Sequence, residues 1–288
     1  MEIDSLLASA GIDIRDIATD LVGQWQRVPT TDKPSKKNGS VLVFSTKPLK
    51  LYYRNFATGA EGLYSESDVR RRCSQPTLQA QLERRRQRSE DQAAAAARAQ
   101  RIWNRAQTPS EHRYLKTKGI EPHGVRQIRE TLIVPMLDAD EFVWSCQMIM
   151  PDGEKRYLRG GRKKGCLFPL GMLTDGALVL TEGFATGASL RECIHRSVIV
   201  CFDAPNLLPV AVCLRDRYPD RRIVLGADND VCTPGNPGLT AARIAADAVG
   251  GMVVYPRFSN PSERLTDWND MHRRYGAEVV RDLFSMYV

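Results

Sequence analysis

The chain has 288 residues, 42% of them apolar, and a formal net charge of +7, enough to bury at least one full core and to build two or three modules. It contains no 18-residue apolar stretch, and Glu2 and Asp4 stand where a secretory leader would carry basic residues; neither membrane insertion nor secretion is indicated, and a cytoplasmic location is expected. Seven cysteines (Cys73, Cys146, Cys166, Cys193, Cys201, Cys213 and Cys232) form no C-x-x-C pair and sit mostly in apolar runs, which reads as reduced, buried thiols rather than zinc ligands or disulfides.

In chain order, residues 1–24 read as a short amphipathic helix with Ile3, Leu6, Leu7, Ile12, Ile14 and Ile17 on its apolar side. The polar stretch Thr30 to Gly39 precedes two β-rich runs, Val41–Phe44 and Leu51–Tyr53, with Asn38-Gly39 as the turn signal of a hairpin. Residues 1–74 are therefore expected to form a small N-terminal β-containing module. From 75 to 107 the sequence is rich in Gln, Arg, Glu and Ala, with no Gly and an unbroken alanine run from Ala93 to Ala97. It predicts a long helical linker with Arg84, Arg85, Arg86 and Arg88 exposed; spacing is the first reading and nucleic-acid contact the second.

Residues 108–176 restart with a helix N-terminus at Thr108–Leu115, then two alternating runs, Thr131–Met136 and Glu141–Met150, that read as an antiparallel pair around Asp138-Ala-Asp140. The following segment packs Lys155, Arg156, Arg159, Arg162, Lys163 and Lys164 into ten residues. Gly160, Gly161 and Gly165 let backbone approach a ligand, and Tyr157 offers a stacking surface. Such a run is either a solvated loop or a phosphate-binding one.

Between 177 and 288 four short Val/Ile-rich runs, at 177–180, 197–202, 222–225 and 251–255, alternate with helical patterns at 185–195, 206–217 and 238–249. That alternation predicts an α/β fold with a parallel sheet covered by helices. Ligands in such sheets gather outside the carboxyl ends of the strands. Glu182 ends the first run, and Asp228 and Asp230 of Gly226-Ala-Asp-Asn-Asp230 end the third, a pattern that suits a divalent-metal site for phosphodiester chemistry. Asn206, after the second run, is expected to hydrogen-bond near the metals. Asp203 is either close to the site or an N-cap, and His195 reads as an ordinary surface or core residue.

Charge separates the two halves. Residues 177–288 hold 12 Arg, no Lys and 13 acids, whereas residues 1–176 hold 29 basic and 21 acidic groups. A polyanion guided by the upstream part and processed downstream fits this division.

Thr181-Glu-Gly183, Ala227-Asp-Asn-Asp230 and Thr266-Asp-Trp-Asn-Asp270, each after a strand-like run, resemble the Toprim domain shared by bacterial-type primases, topoisomerases and some nucleases. Glu182-Gly-Phe-Ala-Thr-Gly-Ala-Ser189, Pro205-Asn-Leu207 and the Asp-Trp-Asn-Asp ending are similar to Toprim primases of phages and conjugative plasmids. Leu132–Met136, Gln147–Ile149, Lys155–Leu158 and Gly165–Phe168 resemble the basic N-terminal half of the bacterial primase core, so the likeness covers about residues 100–288. It implies a Toprim, Rossmann-like sheet preceded by a basic α+β subdomain, with boundaries at 108–176 and 177–288. The implied activity is that of a DNA primase, a DNA-directed RNA polymerase joining ribonucleoside triphosphates on single-stranded DNA. Two or more Mg²⁺ or Mn²⁺ ions are implied, with Asp228 and Asp230 as primary ligands, Asp267 and Asp270 supporting a second ion, and Glu182 a general base or acid or a further ligand; Glu182, Asp228 and Asp230 form the catalytic set. Lys155 and Arg156 are implied to contact template or incoming nucleotide, and Arg159, Arg162, Lys163 and Lys164 to line the nucleic-acid track.

The sequence departs from that pattern in two respects. Residues 25–66 contain neither Cys nor His, so a metal-free module without zinc is expected where bacterial primases carry a zinc ribbon. No G-x-x-x-x-G-K-[ST] occurs, so a separate replicative helicase, or a template already single-stranded, is expected. A Toprim nuclease would use the same acids, and a non-catalytic single-strand-binding accessory protein would be expected to have lost them.

Overall fold

The computed structural model describes residues 3–13, 15, 17–66, 78–173, 176–259 and 265–288. Ile14, Cys73 and the expected helix start at 75–77 lie outside the described residues. Contacts divide the chain into two compact units, Met1–Arg84 and Arg85–Val288.

In the first unit, α1 (Ile3–Ser9) precedes an antiparallel sheet of β1 (Trp25–Val28), β2 (Gly39–Thr46), β3 (Leu49–Asn55) and β4 (Glu61–Ser65), in the order β1-β2-β3-β4. Strand alternation sends Val28, Val41, Val43, Leu51, Tyr53 and Tyr64 to one face, where Leu7 and Ile12 cover them. Two expectations are corrected here. The helix expected over 1–24 stops at Ser9, because Gly11 takes a left-handed backbone (φ 71°) and turns Ile12 into the core to bridge Thr30. The hairpin turn is Lys47-Pro48, between β2 and β3, and not Asn38-Gly39. Gly39 begins β2 instead, where a Cβ would stand 2.9 Å from Val28 Cγ2.

The second unit holds the rest of α2 (Leu78–Arg105), whose Ala95, Ala96 and Ala99 are buried; the alanine run is thus packed surface as well as spacer. After α3 (Arg113–Lys118) come β5 (Arg126–Ile128), β6 (Thr131–Leu137), β7 (Val143–Ile149) and β8 (Lys155–Tyr157), an antiparallel sheet in chain order. The expected pair is β6 and β7, joined through Asp138, whose carboxylate accepts the Asp140 and Phe142 N–H groups and the Trp144 indole.

The remaining elements are β9 (Phe168–Leu170), β10 (Leu178–Thr181), α4 (Phe184–Ile194), β11 (Val198–Val200), α5 (Ala204–Arg217), β12 (Ile223–Gly226), α6 (Pro237–Val249), β13 (Met252–Val254), α7 (Trp268–Tyr275) and α8 (Ala277–Phe284). Their sheet runs β13-β12-β10-β11-β9, parallel except for β9 at the edge beside β11. Leu178 and Leu180 face α5 and α6, while Val179, one residue out of phase, faces α4, α7 and α8. Because both faces are covered, the strands read as continuous apolar runs. The far side of α4, with Phe184, Ala185 and Ala188, packs on Leu132, Val134 and Met136 of β6. That contact fixes the basic sheet against the parallel one.

Candidate active site

The chain leaves β10 towards β11 on one side and reaches β12 on the other, so the crevice outside the carboxyl ends of β10 and β12 is the switch point at which an open α/β sheet binds ligands. Glu182 follows β10, and Asp228 and Asp230 follow β12. Gly183 caps α4 with no side-chain bond of its own, leaving the helix N-terminus facing the same crevice. Asp267 enters from the start of α7.

Electrostatics tie these carboxylates together. Burial, then the charges of Asp230 and Asp203, push Glu182 up to about 7, against the opposing pull of Lys155. Asp228 is held well above the usual carboxylate range by burial first, then by Glu182, Asp267 and Asp230, although the Thr186 hydroxyl donates to it at 3.3 Å. Burial and the neighbouring Asp270 raise Asp267, while Lys118 and Lys155 work in the other direction. Glu182 Oε1 is buried with no hydrogen-bond partner. Desolvated, mutually repelling carboxylates with an orphaned oxygen are a set that a hard cation would satisfy. Among the described residues no group of three or more His, Cys, Asp or Glu is arranged to hold a metal ion by itself.

Asp230 is placed by its loop: Asn236 Oδ1 accepts the Asp230 N–H at 3.0 Å, and the Asn236 amide donates to Asn229 at 2.8 Å. Asp267 and Asp270 form a capping box. Asp267 accepts the Asp270 N–H at 2.7 Å, and the Asp270 carboxylate accepts the N–H groups of Thr266 and Asp267 at 2.9 and 3.4 Å. Asp270 thus holds the loop that presents Asp267. Asp203 combines its two readings: it caps α5 through the Asn206 N–H and pairs with Lys163, and its charge reaches Glu182.

The basic segment divides by strand alternation. Lys155 is exposed as a residue, but its ammonium is crowded by protein atoms, and a Cβ on Gly183 would lie 3.6 Å from Nζ. That crowding lowers its pKa, with Lys118 adding and Asp228, Asp267 and Glu182 opposing. Arg156 points the other way and pairs with Glu154 at 2.8 Å. Tyr157, back on the side of Lys155, donates to the Phe202 carbonyl at 3.1 Å. Arg162 lies over the Trp144 ring at 4.8 Å, and Arg162 and Lys164 line a groove of about 450 Å³ with Arg88 and Gln92 of α2. Arg159 gives its carbonyl to Arg98 of the same helix at 2.9 Å.

The Asn206 side chain is committed to backbone groups. It is buried, its amide donates to the Cys166 and Cys201 carbonyls, and its Oδ1 accepts the Gly165 N–H at 2.8 Å. It ties the end of the basic segment to β11.

Sequence reasoning missed four contributors. Lys118 and Tyr114 come from α3, Lys118 with its charge on Asp267 and Lys155, Tyr114 with a buried, unbonded hydroxyl whose pKa is raised by burial and then by Asp267. Thr186 bonds Asp228. Gly238, in the first turn of α6, passes so close that a Cβ would lie 2.5 Å from Glu182 Oε1. The Gly-Asn-Pro-Gly string at 235–238 was the available signal for it; nothing local marks Lys118.

Residues 177–278, which carry the strand-end Glu182, the Asp228 and Asp230 pair on the adjacent strand and Asp267 at a following helix, match the Toprim domain family. The chain is homologous to DNA primase TraC of Escherichia coli. It is 33% identical to one such protein over 262 residues, 82% of this chain and 24% of the relative. It is 38% identical to another over 161 residues, 52% of this chain and 11% of the relative. The chain thus spans a quarter or less of the length of these relatives. Among solved structures, the DnaG primase catalytic domain bound to single-stranded DNA aligns at a TM-score of 0.48 and 11% identity, over 69% of this chain and 80% of that one. The Aquifex aeolicus primase zinc-binding and RNA polymerase domains align at 0.48 and 15%, over 99% and 83%.

Proposed function

We propose that the chain is the catalytic part of a DNA primase, joining ribonucleoside triphosphates into a short primer on single-stranded DNA. The observation that carries this reading is the convergence of Glu182, Asp228 and Asp267, all with raised pKa, on a crevice that Lys155 enters from the basic sheet. Similarity to TraC, itself a DNA primase, supports it.

Glu182, Asp228 and Asp230 would hold Mg²⁺ or Mn²⁺, with Asp267 supporting a second ion and Asp270 positioning Asp267 through the capping box. When bound, the divalent cation lowers the pKa of the attacking 3′-hydroxyl and neutralises the triphosphate. Lys155 and Lys118 add positive charge opposite the acids, where a nucleotide's phosphates enter. Glu182, pushed up to about 7, is shared between its neutral and charged forms near neutrality, and positive charge bound beside it would favour the carboxylate. Arg162, Lys164 and Arg88 form a basic groove in which a strand's phosphates are held. A separate helicase opens duplex template.

The test is incubation with single-stranded DNA, labelled ribonucleoside triphosphates and Mg²⁺ or Mn²⁺. Labelled oligoribonucleotides are the expected product. Cleavage of the strand without synthesis would replace the reading with that of a Toprim nuclease.

A further inference from the structure

At the amino ends of the parallel strands, away from the acidic crevice, two cavities adjoin. Ala177 precedes β10 and Ser197 precedes β11, whereas Glu182 follows β10; the run from Ala177 to Glu182 separates the two ends by about 16 Å of extended chain. The larger cavity, of about 650 Å³, has Leu137, Leu167, Phe168, Leu173, Leu214 and Tyr218 among its walls, a volume within the range of small-ligand sites. The smaller, of about 140 Å³, is basic: Arg191, His195, Arg196 and Arg221 surround it with Met172, Ala177 and Ser197. Arg191 and Met172 border both cavities, and Arg221 of the smaller lies 5.2 Å over the ring of Tyr218 in the larger. At the junction a Cβ on Gly171 would stand 3.0 Å from Arg191 Nε. With φ 95° this glycine both turns the chain and leaves room for the guanidinium.

Charge is spread unevenly along this pair. The acids of the larger cavity, Asp138 and Glu141, border its Leu137–Leu167 end, where Arg217 pairs with Asp140 at 2.9 Å. The run from Leu167 to Gly171 sets Arg191 about 13 Å from that end. Among the described residues no acid lines the smaller cavity, and no ion pair among them uses Arg191, Arg196 or Arg221. Glu192, next to Arg191 in sequence, is paired with His123 at 2.7 Å. The carbonyl end of α4, which would repel an anion, is covered by Arg281, whose Nε donates to the Cys193 carbonyl at 2.9 Å. We infer that the two cavities form a binding site for a nucleoside polyphosphate, separate from the catalytic crevice: the base lies against Leu173, Leu214 and Tyr218, and the phosphates meet Arg191, Arg196 and Arg221. An aromatic ring takes a base face, and the planar fork of arginine matches phosphate oxygens. A nucleic-acid backbone fits less well, because the basic groups close round a small cavity instead of lining an open stripe. The inference goes beyond the proposed function, since none of these residues belongs to the acidic crevice or the basic groove.

The experiment uses the full chain in EDTA, so that the cation-dependent crevice holds no nucleotide, and titrates N-methylanthraniloyl-ATP by fluorescence anisotropy. Saturable binding is expected, and it should be unchanged in Asp228→Asn. Arg191→Gln combined with Arg196→Gln should bind at least about tenfold more weakly, because each change removes a charge-assisted bond to phosphate. Met172→Glu, at a residue that is 81% exposed, should also weaken binding by setting a like charge at the junction. Arg222→Gln removes an exposed charge outside both cavities and should bind as the parent does, with thermal midpoints alike throughout. Photolabelling with azido-ATP should mark residues 167–173 or 214–221. Absence of binding in EDTA, parental affinity in the double arginine variant together with Met172→Glu, or labelling confined to the acidic crevice would overturn the assignment. Equal competition by inorganic pyrophosphate, which has no base, would overturn it too, as would displacement by single-stranded oligonucleotide at the same phosphate concentration. Because the readout needs neither cation nor primer synthesis, a chain that makes no primers but binds as described would sink the catalytic reading alone.

Discussion

Burial and the Asp230 charge push the Glu182 carboxyl up to about 7 from an ordinary value of 4.5, so the folded protein keeps a proton there that the unfolded chain has already lost. Between those values the native state binds more protons, and stability falls as pH rises through the window, by at most about 3 kcal/mol from this group. The raised Asp228 and Asp267 act in the same direction. The thermal midpoint of cation-free protein is therefore expected to drop between pH 5 and pH 8. Glu182→Gln should flatten that profile, and added Mg²⁺ should raise the midpoint more at pH 8 than at pH 5; scanning calorimetry at several pH values reads all three. A Glu182→Gln profile as steep as the parent's would show that the carboxylate is not the group responsible. The positions of Glu182, Asp228 and Asp230 were legible because β-branched runs stop just before them. Their electrostatic surroundings were not, since residues far away in sequence, including Lys118 and Tyr114 from α3, meet Asp267 there.

Elements aim these residues, and two of them carry separable predictions. The capping box starting α7 supplies acceptors for the Asp270, Thr266 and Asp267 N–H groups, so Asp270→Ala should cost about 1 kcal/mol of stability, measured by urea unfolding, and loosen Asp267. In α6, the close approach of Gly238 to Glu182 Oε1 involves the far end of a flexible side chain. Gly238→Ala should therefore leave the thermal midpoint within a few degrees while cutting primer synthesis at least about tenfold, by displacing the carboxylate; unaltered synthesis would free Glu182 from a fixed position. Periodicity revealed α4, α5, α6 and the parallel strands between them because each buries one face. It failed at α1, where Ile12, just beyond Gly11, bridges Thr30 instead of continuing a helix face. It also failed at Gly39, whose absent side chain answers a packing need beside Val28 that no local pattern records.

At the scale of the molecule, the net +8 of residues 1–176 and −1 of residues 177–288 set a basic part before a slightly acidic one. The basic groove of Arg88, Arg162 and Lys164 belongs to the second compact unit together with the acidic crevice. Reversing Arg162 and Lys164 to Glu should weaken single-strand binding and flatten its salt dependence, since fewer counterions are released; an unchanged salt slope would place the strand elsewhere. Among the described residues no helix is long and apolar enough to cross a membrane. The charge division was visible in the sequence, whereas the meeting of the two signs, with Lys155 reaching Asp228 and Glu182, required the packing of β6 on α4. The most direct measurement is oligoribonucleotide synthesis on single-stranded DNA with Mn²⁺, comparing the parent chain with Asp228→Asn at equal single-strand binding. The account predicts primers from the parent and at least about a hundredfold less from the variant. No primers from the parent, or equal yields from both, would contradict it.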